Sequence, residues 1–366
     1  MSHYYIGLLS GTSMDGVDAA IVDFSENKPK LIAYHAEPIP ELLREKTRLL
    51  CVPGDNEINR LGEADVEWGR LFAVATQKLL KHANISDQEI IAIGSHGQTI
   101  RHKPTNAIPF TLQIGDPNTI AALTHITTVA DFRRMDMAFG GQGAPLAPAF
   151  HRYLFQTSKC DTMIINIGGI TNITYLPADP SMKIIGFDIG PGNNLMDAWC
   201  RQHINRPFDE NGLWAMQGQV DETLLSRLLN DNYFSQQPPK STGPEYFHLN
   251  WLNSTVTAVD TQRTLLELTA KSIVNEVKKR AKTLTSNVLL CGGGAHNLFL
   301  VERIKMLLGD QFTLSLTDEH NAPSHWLEAM LFAWLAKLRL EEEALDLKTI
   351  TGSNLPALLG GIFKAF

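Results

Sequence analysis

The order of apolar and polar positions divides the chain into strands and helices before any single residue is considered. Residues 6–9 (IGLL) are an apolar run of strand length, and 17–22 form a second after the turn at Asp15-Gly16. Between them lie Gly11-Thr12-Ser13, a small polar turn, and a third strand follows at 31–36. Over 60–82 the period becomes helical: Leu61, Ala64, Trp68, Leu71, Ala75 and Leu79 recur three and four residues apart and form a stripe that faces a core. A short buried strand is expected at 90–94, delivering Ser95-His96-Gly97-Gln98-Thr99 into a loop at its carboxyl end, the edge where open α/β sheets bind ligands. Further strands are expected at 111–114 and 127–130, the second ending on Asp131-Phe132-Arg133-Arg134. The glycine-rich run 140–145 reads as a flexible crossing between two lobes.

The second half repeats the opening plan. Residues 161–175 (DTMIINIGGITNITY) are a strand, a Gly168-Gly169 turn and a second strand. A strand at 184–188 is expected to end on Asp188, with a tight turn at 189–193 and a helix from 195. Prolines and a glycine make 236–245 a loop. Long helices are expected at 261–284, with Leu266, Ile273, Val277 and Ala281 inward, and at 324–340, with Trp326, Met330 and Ala333 on one face. A third glycine cluster, CGGGAHN at 291–297, stands between a strand at 288–290 and a helix from 298. Strands alternating with helices define the α/β class.

Composition narrows the function. A chain of 366 residues, 44% hydrophobic and 19% charged, suits two lobes of an ordinary globular protein. A net charge of −7 without any Lys/Arg run argues against a nucleic-acid partner. The start lacks a basic region and a long apolar run, so no signal peptide is expected. No stretch reaches the roughly 20 apolar residues of a membrane span. Cys51, Cys160, Cys200 and Cys291 are scattered without a C-x-x-C pair, which fits small buried hydrophobes in a reducing cytoplasm.

Candidate chemistry follows from the turns. A Gly/Ser/Thr turn between strands offers backbone N–H groups and hydroxyls to a phosphate, and Asp15 and Asp18 could orient a hydrated metal there. Asp188, where a strand meets Gly190-Pro191-Gly192, is either a catalytic carboxylate or a helix cap, although Asn193 or Asn194 lies nearer the cap position. His96 is a ligand contact or a structural histidine. Asp131 and Arg133 read locally as an ion pair. Glu328 either faces solvent or projects from its helix into a binding site, since Leu331 and Phe332 beside it are apolar. His296 could lie near a base or cap the helix that follows.

Two Gly/Thr hairpins and a late strand–GGG–helix resemble the actin, Hsp70 and sugar-kinase superfamily. Longer blocks narrow the resemblance: GTSMDGVD (11–18), GSHGQT (94–99), DFRRMDMAFGGQGAPL (131–146), NIGGITN (166–172) and GFDIGPGNNLMDAW (186–199). In this order, over nearly the whole chain, they resemble the anhydro-N-acetylmuramic acid kinase family. The resemblance implies a two-lobed, duplicated ribonuclease H-like fold with an interlobe cleft. One lobe would be 1–131 with about 341–366, the other 132–340. It implies ATP and Mg2+ as cofactors. Gly11, Thr12, Ser13, Met14, Asp15, Gly16, Val17 and Asp18 would form the first nucleotide loop. Asn166, Gly168, Gly169, Asn172, Gly190, Gly192 and Asn193 would form the second, and Gly292, Gly293, Gly294 and Asn297 the adenosine turn. Asp188 would be the catalytic base, and His96, Gly97, Asp131, Arg133 and Glu328 would bind the sugar, with the metal ligands open. Where the family usually has a basic residue after Ser241-Thr242-Gly243, this chain has Pro244, and Lys240 is an alternative source of that charge.

The implied reaction opens the 1,6-anhydro ring of anhydro-N-acetylmuramic acid with water and phosphorylates O6, in the cytoplasm, as part of cell-wall recycling. A sugar kinase without ring opening is the nearest alternative. An Hsp70- or actin-like machine would need an added substrate segment, and an exopolyphosphatase-like enzyme would need no adenosine turn. A homodimer is left open.

Overall fold

The computed structural model describes residues 3–365 except Thr12, Asn27, Pro180 and Pro239. The chain divides into two compact units, Met1–Phe150 with Trp326–Phe366, and His151–His325. The strands are β1 (Tyr4–Ser10), β2 (Val17–Asp23), β3 (Lys30–Glu37), β4 (Ile90–Lys103), β5 (Phe110–Ile114), β6 (Thr128–Ala130), β7 (Asp161–Ile167), β8 (Ile170–Leu176), β9 (Ile185–Pro191), β10 (Ser286–Cys291), β11 (Phe312–Leu316) and β12 (Gly361–Phe363).

In the first unit the order is β12-β6-β4-β1-β2-β3, with β5 on the far half of β4. β1–β2–β3 is an antiparallel meander, and β4 and β6 add to β1 in parallel. The second unit repeats this: β7–β8–β9 is antiparallel, and β10 and β11 add in parallel to give β11-β10-β7-β8-β9. Each sheet therefore carries the ribonuclease H-like order, and the duplication read from the two hairpins is a duplication of topology.

β1 and β7 are central strands covered on both faces, so their residues are buried almost throughout. One face of the first sheet packs Ile6, Leu8, Ala19 and Ile21 against Trp68, Phe72 and Leu79 of the helix Glu57–Ala83, whose predicted stripe is buried apart from half-buried Leu61. Its other face receives the helix Leu327–Leu340, to which Trp326 is the N-cap. That helix packs on β1 and β4 and so belongs with the first unit, whose limits at 150 and 326 differ from the expected 131 and about 341. In the second unit Leu266, Ile273 and Val277 of the helix Ala258–Arg280 pack against Ile165, Ile173 and Val288. This helix ends before Ala281 and is buried on nearly all sides, with Glu267 held by Arg263 and Arg303 at 2.9 Å each.

Four expectations need correction. GSHGQT does not form a loop after a short strand. It lies inside the 14-residue β4, where a bulge shifts the pairing from Leu8–Ser95 to Ser10–Gln98, and Gly97 at φ +76° supplies the irregular backbone. β9 does not stop at Asp188 but runs to Pro191, with Ile189 bulged between the pairs Asn172–Asp188 and Thr171–Gly190. Proline is tolerated there because β9 is an edge strand. The run 140–145 is not a loose crossing: Gln142 donates to the Thr351 carbonyl at 3.0 Å, and the Gly143 N–H to Asp136 Oδ2 at 2.7 Å. Finally, Cys200 and Cys291 are buried, but Cys160 is half-buried and Cys51 exposed.

Candidate active site

In the second unit, three predicted residues lie in one cross-strand row. Asn166 pairs with Asn172, and Asn172 with Asp188. Directly paired residues share a sheet face. These three are half-exposed, while their strand neighbours Ile165, Ile167, Ile173, Phe187 and Ile189 are buried in the core.

Glycine turns gather at the end of this row. The Gly168 carbonyl accepts from the Asn193 N–H at 2.8 Å, and the Gly169 carbonyl from Gly192 and Asn194 at 2.9 and 3.1 Å. With the carbonyls turned inward, Gly169 stays exposed. Asn193 Nδ2 donates to the Ile167 carbonyl at 3.2 Å. Gly292, at φ +80°, lies so close over Asn166 that a Cβ would sit 2.2 Å from its Oδ1, and one on Gly294 would sit 2.3 Å from Ile167 Cγ2. A Cβ on Gly192 would meet the Gly168 oxygen at 2.3 Å. Thus Gly168, Gly169, Gly192, Asn193 and the 292–294 turn pack into one cluster, with Gly192 and Gly294 buried inside it and Gly169 and Gly293 exposed. Asn297 is occupied otherwise, because its Oδ1 caps the helix Leu298–Leu308 by accepting from the Leu300 N–H at 3.1 Å. That leaves His296 exposed and without the capping role.

Asp188 is held from the segment 240–242. Its N–H donates to the Lys240 carbonyl at 3.2 Å, and its Oδ2 accepts from the Thr242 N–H at 3.0 Å. The Tyr233 hydroxyl donates to the Asp188 carbonyl at 2.8 Å. Burial lifts the carboxyl above the usual Asp range, while the Thr242 N–H and Lys240 oppose the rise. Lys240 does not present its ammonium outward. Nζ donates to the Tyr233 carbonyl at 3.1 Å and stands over the Tyr233 ring at 4.6 Å. Sequence reasoning passed over Thr242 and Tyr233 as anchors of Asp188, because nothing local links them to it.

In the first unit, Met14 and Val17 are buried in the core, so only their backbone can reach a ligand. Met14, at φ +56°, sets the turn, whose carbonyl accepts from Arg44 Nε at 3.1 Å. Gly11, Gly16 and Asp18 are half-buried, Ser13 and Asp15 are exposed, and Thr12 lies outside the described residues.

The sugar candidates divide. Asp131, at φ +65°, pairs with Arg134 at 2.7 Å and not with Arg133, which corrects the local ion-pair reading. Arg133 turns to His96: Nε and Nη2 lie 3.1 and 2.9 Å from His96 Nε2, and Nη1 donates to the Gly143 carbonyl at 2.8 Å. Burial pulls the guanidinium down to about 10, against Glu328 and Asp136. It remains a cation at neutral pH. Glu328 is solvent-accessible, yet the protein around it desolvates the carboxylate and raises its pKa, with Arg133 opposing and Asp18 adding to the rise. His96, Gly97 and Asp131 also line a cavity of about 490 Å³ with Asp65, Ser95 and Gln113. Among the described residues no group of three or more His, Cys, Asp or Glu is placed to hold a metal ion, and no helix is long and apolar enough to cross a membrane.

Two ribonuclease H-like sheets, each with a turn at the end of its first hairpin, define a duplicated α/β protein of the actin, Hsp70 and sugar-kinase architecture. The family model described as anhydro-N-acetylmuramic acid kinase matches residues 3–365. A protein of that name from Coxiella burnetii (strain Dugway 5J108-111) is 52% identical over 364 residues, covering 98% of this chain and 97% of the relative. Another, from Shewanella sp. (strain MR-7), is 49% identical over 368 residues, covering 99% of each. The chain belongs to the anhydro-N-acetylmuramic acid kinase family.

Proposed function

We propose that the protein uses ATP and water to convert anhydro-N-acetylmuramic acid to N-acetylmuramic acid 6-phosphate, in recycling of cell-wall sugar. Family membership over residues 3–365 carries this reading. Water attacks the anomeric carbon, the bond from that carbon to O6 breaks, and O6 takes the γ-phosphoryl group as ADP leaves. Asp188 takes the proton from the attacking water. The Thr242 N–H holds one carboxylate oxygen, and burial keeps the group more basic than an ordinary aspartate, which suits a general base.

The glycine cluster suits a nucleotide. Its turns leave no room for side chains at Gly192, Gly292 and Gly294, and Thr171 Oγ1 and Asn194 Oδ1 beside it are buried without a hydrogen-bond partner. Magnesium carried with the phosphates would supply charge neutralisation, and Asp15 and Asp18 would orient its water shell. Arg133 and Glu328 would take the sugar's carboxylate and polar groups. A cytoplasmic location is part of the same proposal.

Incubation with ATP in oxygen-18 water, followed by mass spectrometry of the product, tests the reading. Label at the anomeric carbon is expected. A phosphorylated product without label would favour an ordinary sugar kinase.

A further inference from the structure

His96 stands among the sugar-binding candidates, but its ring is already committed. Arginine can only donate, so His96 Nε2, 3.1 Å from Arg133 Nε and 2.9 Å from Nη2, must be an acceptor. The Gly97 carbonyl, 3.0 Å from Nδ1, can only accept, so Nδ1 carries the proton. Both ring nitrogens are used, and the ring face packs on Phe332 at 4.7 Å. At 7% exposure little of the side chain remains for a ligand.

Arg133 is held from its other side by a second device. Gly143 accepts from Nη1 at 2.8 Å and is itself tied to Asp136 Oδ2 at 2.7 Å, while Thr351 Oγ1 donates to Asp136 Oδ1 at 2.7 Å. A guanidinium has five N–H donors. His96 uses the Nε hydrogen and one on Nη2, and Gly143 uses one on Nη1, which leaves one on each Nη. Glu328 acts on the cation electrostatically, but among the described residues no carboxylate forms an ion pair with it. Two N–H groups on adjacent nitrogens match the two oxygens of a carboxylate.

We propose that His96 is a positioning residue: as a neutral acceptor it orients Arg133 so that the two remaining N–H groups receive the lactyl carboxylate of the sugar. This rests on the function proposed above. The charged groups around the pair are Arg133 itself, Glu328, Asp136 and, through Glu328, Asp18; His102 also feels Arg133. Burial and the neighbouring cation both keep His96 neutral.

The test compares two ligands, anhydro-N-acetylmuramic acid and the same anhydro amino sugar without its lactyl ether, by KM and by calorimetric Kd on the wild type, His96→Phe and His96→Gln. Phenylalanine preserves the packing on Phe332 but offers no acceptor, and glutamine restores one. His96→Phe should weaken the acid sugar by about tenfold or more, as expected for loss of a hydrogen bond to a charged group. The lactyl-free sugar should change far less, KM should rise more than kcat falls, and His96→Gln should recover most of the loss. Equal losses for both sugars, or none, in an active enzyme would overturn the proposal alone. A wild type that binds the two sugars alike would overturn the carboxylate assignment. A wild type that phosphorylates neither would overturn the function reading and this proposal with it.

Discussion

Gly7 on β1 lies directly beneath Ala329 of the helix Leu327–Leu340: a Cβ at Gly7 would fall 1.7 Å from the Ala329 carbonyl oxygen. Gly94 on β4 makes the same approach to the Phe332 carbonyl, at 1.9 Å. These two glycines let the helix carrying Glu328 settle against the sheet. Glu328 and the Phe332 ring that backs His96 are therefore placed by residues with no side chain of their own.

Gly7→Ala or Gly94→Ala should push this helix off the sheet. Overpacking typically costs about 1–3 kcal/mol, and a clash with backbone belongs at or above the top of that range. Thermal denaturation should show a melting temperature lower by several degrees, with activity lost in step because Glu328 moves. An unchanged melting temperature in both variants would mean that the helix packs less closely than described.

Gly169 has the opposite character. A Cβ there would meet only Asn194 Cβ, at an ordinary 3.7 Å, so the fold has room for a side chain. Gly169→Val should leave circular dichroism and melting intact while weakening ATP binding by about tenfold or more, roughly 1.4 kcal/mol. Gly192→Ala should instead destabilise the protein, because its Cβ meets the Gly168 oxygen. Normal nucleotide affinity in a folded Gly169→Val protein would remove the second hairpin from the phosphate site.

Asp188→Asn keeps the shape of the side chain and an acceptor for the Thr242 N–H but cannot take a proton. General-base assistance is worth about 10²–10⁴ in rate, so kcat should fall by roughly that factor with sugar affinity changed far less. The base must be ionised to act and burial raises its pKa, so the acidic limb of kcat/KM in the wild type should lie above the usual Asp range. Near-normal turnover in a folded variant would take Asp188 out of the mechanism.

His151 should contribute to the acid sensitivity of the second unit. It is buried, its Nδ1 lies 2.9 Å from Thr174 Oγ1, and burial pulls its pKa down to about 4. The unfolded state therefore binds more protons between the unfolded value near 6.5 and 4, and stability rises with pH across that window. The contribution is full above about 6.5 and lost as pH falls towards 4. His151→Gln should flatten this part of the curve in denaturant titrations at a series of pH values. An unchanged slope would assign the acid sensitivity to other groups.

The sequence legible from local pattern was the part governed by local physics. The helix stripe from Leu61 to Leu79, the two hairpins and the turn before Asn297 follow from residue spacing and from glycine at the turns. The long motifs also placed Asn166, Asn172, Gly192 and Gly292 in a single set, and the fold gathers them at one end of a sheet. The strand limits of β4 and β9 are not legible locally, because a polar His-Gly-Gln stretch and an Ile-Gly-Pro stretch look like loops by composition. Pairing with β5 and with β8 keeps them extended, and bulges absorb the misfit. The sequence by itself thus determined the class and the doubling, since the apolar periods and the repeated glycine turns depend on neighbours a few positions apart. Which side chain touches which was decided only by the tertiary structure. Arg133 meets His96 across 37 positions, the Thr242 N–H meets Asp188 across 54, and Thr351 meets Asp136 across 215. Contacts at such separations are set by how the sheets and helices pack, and a linear pattern carries no record of that packing.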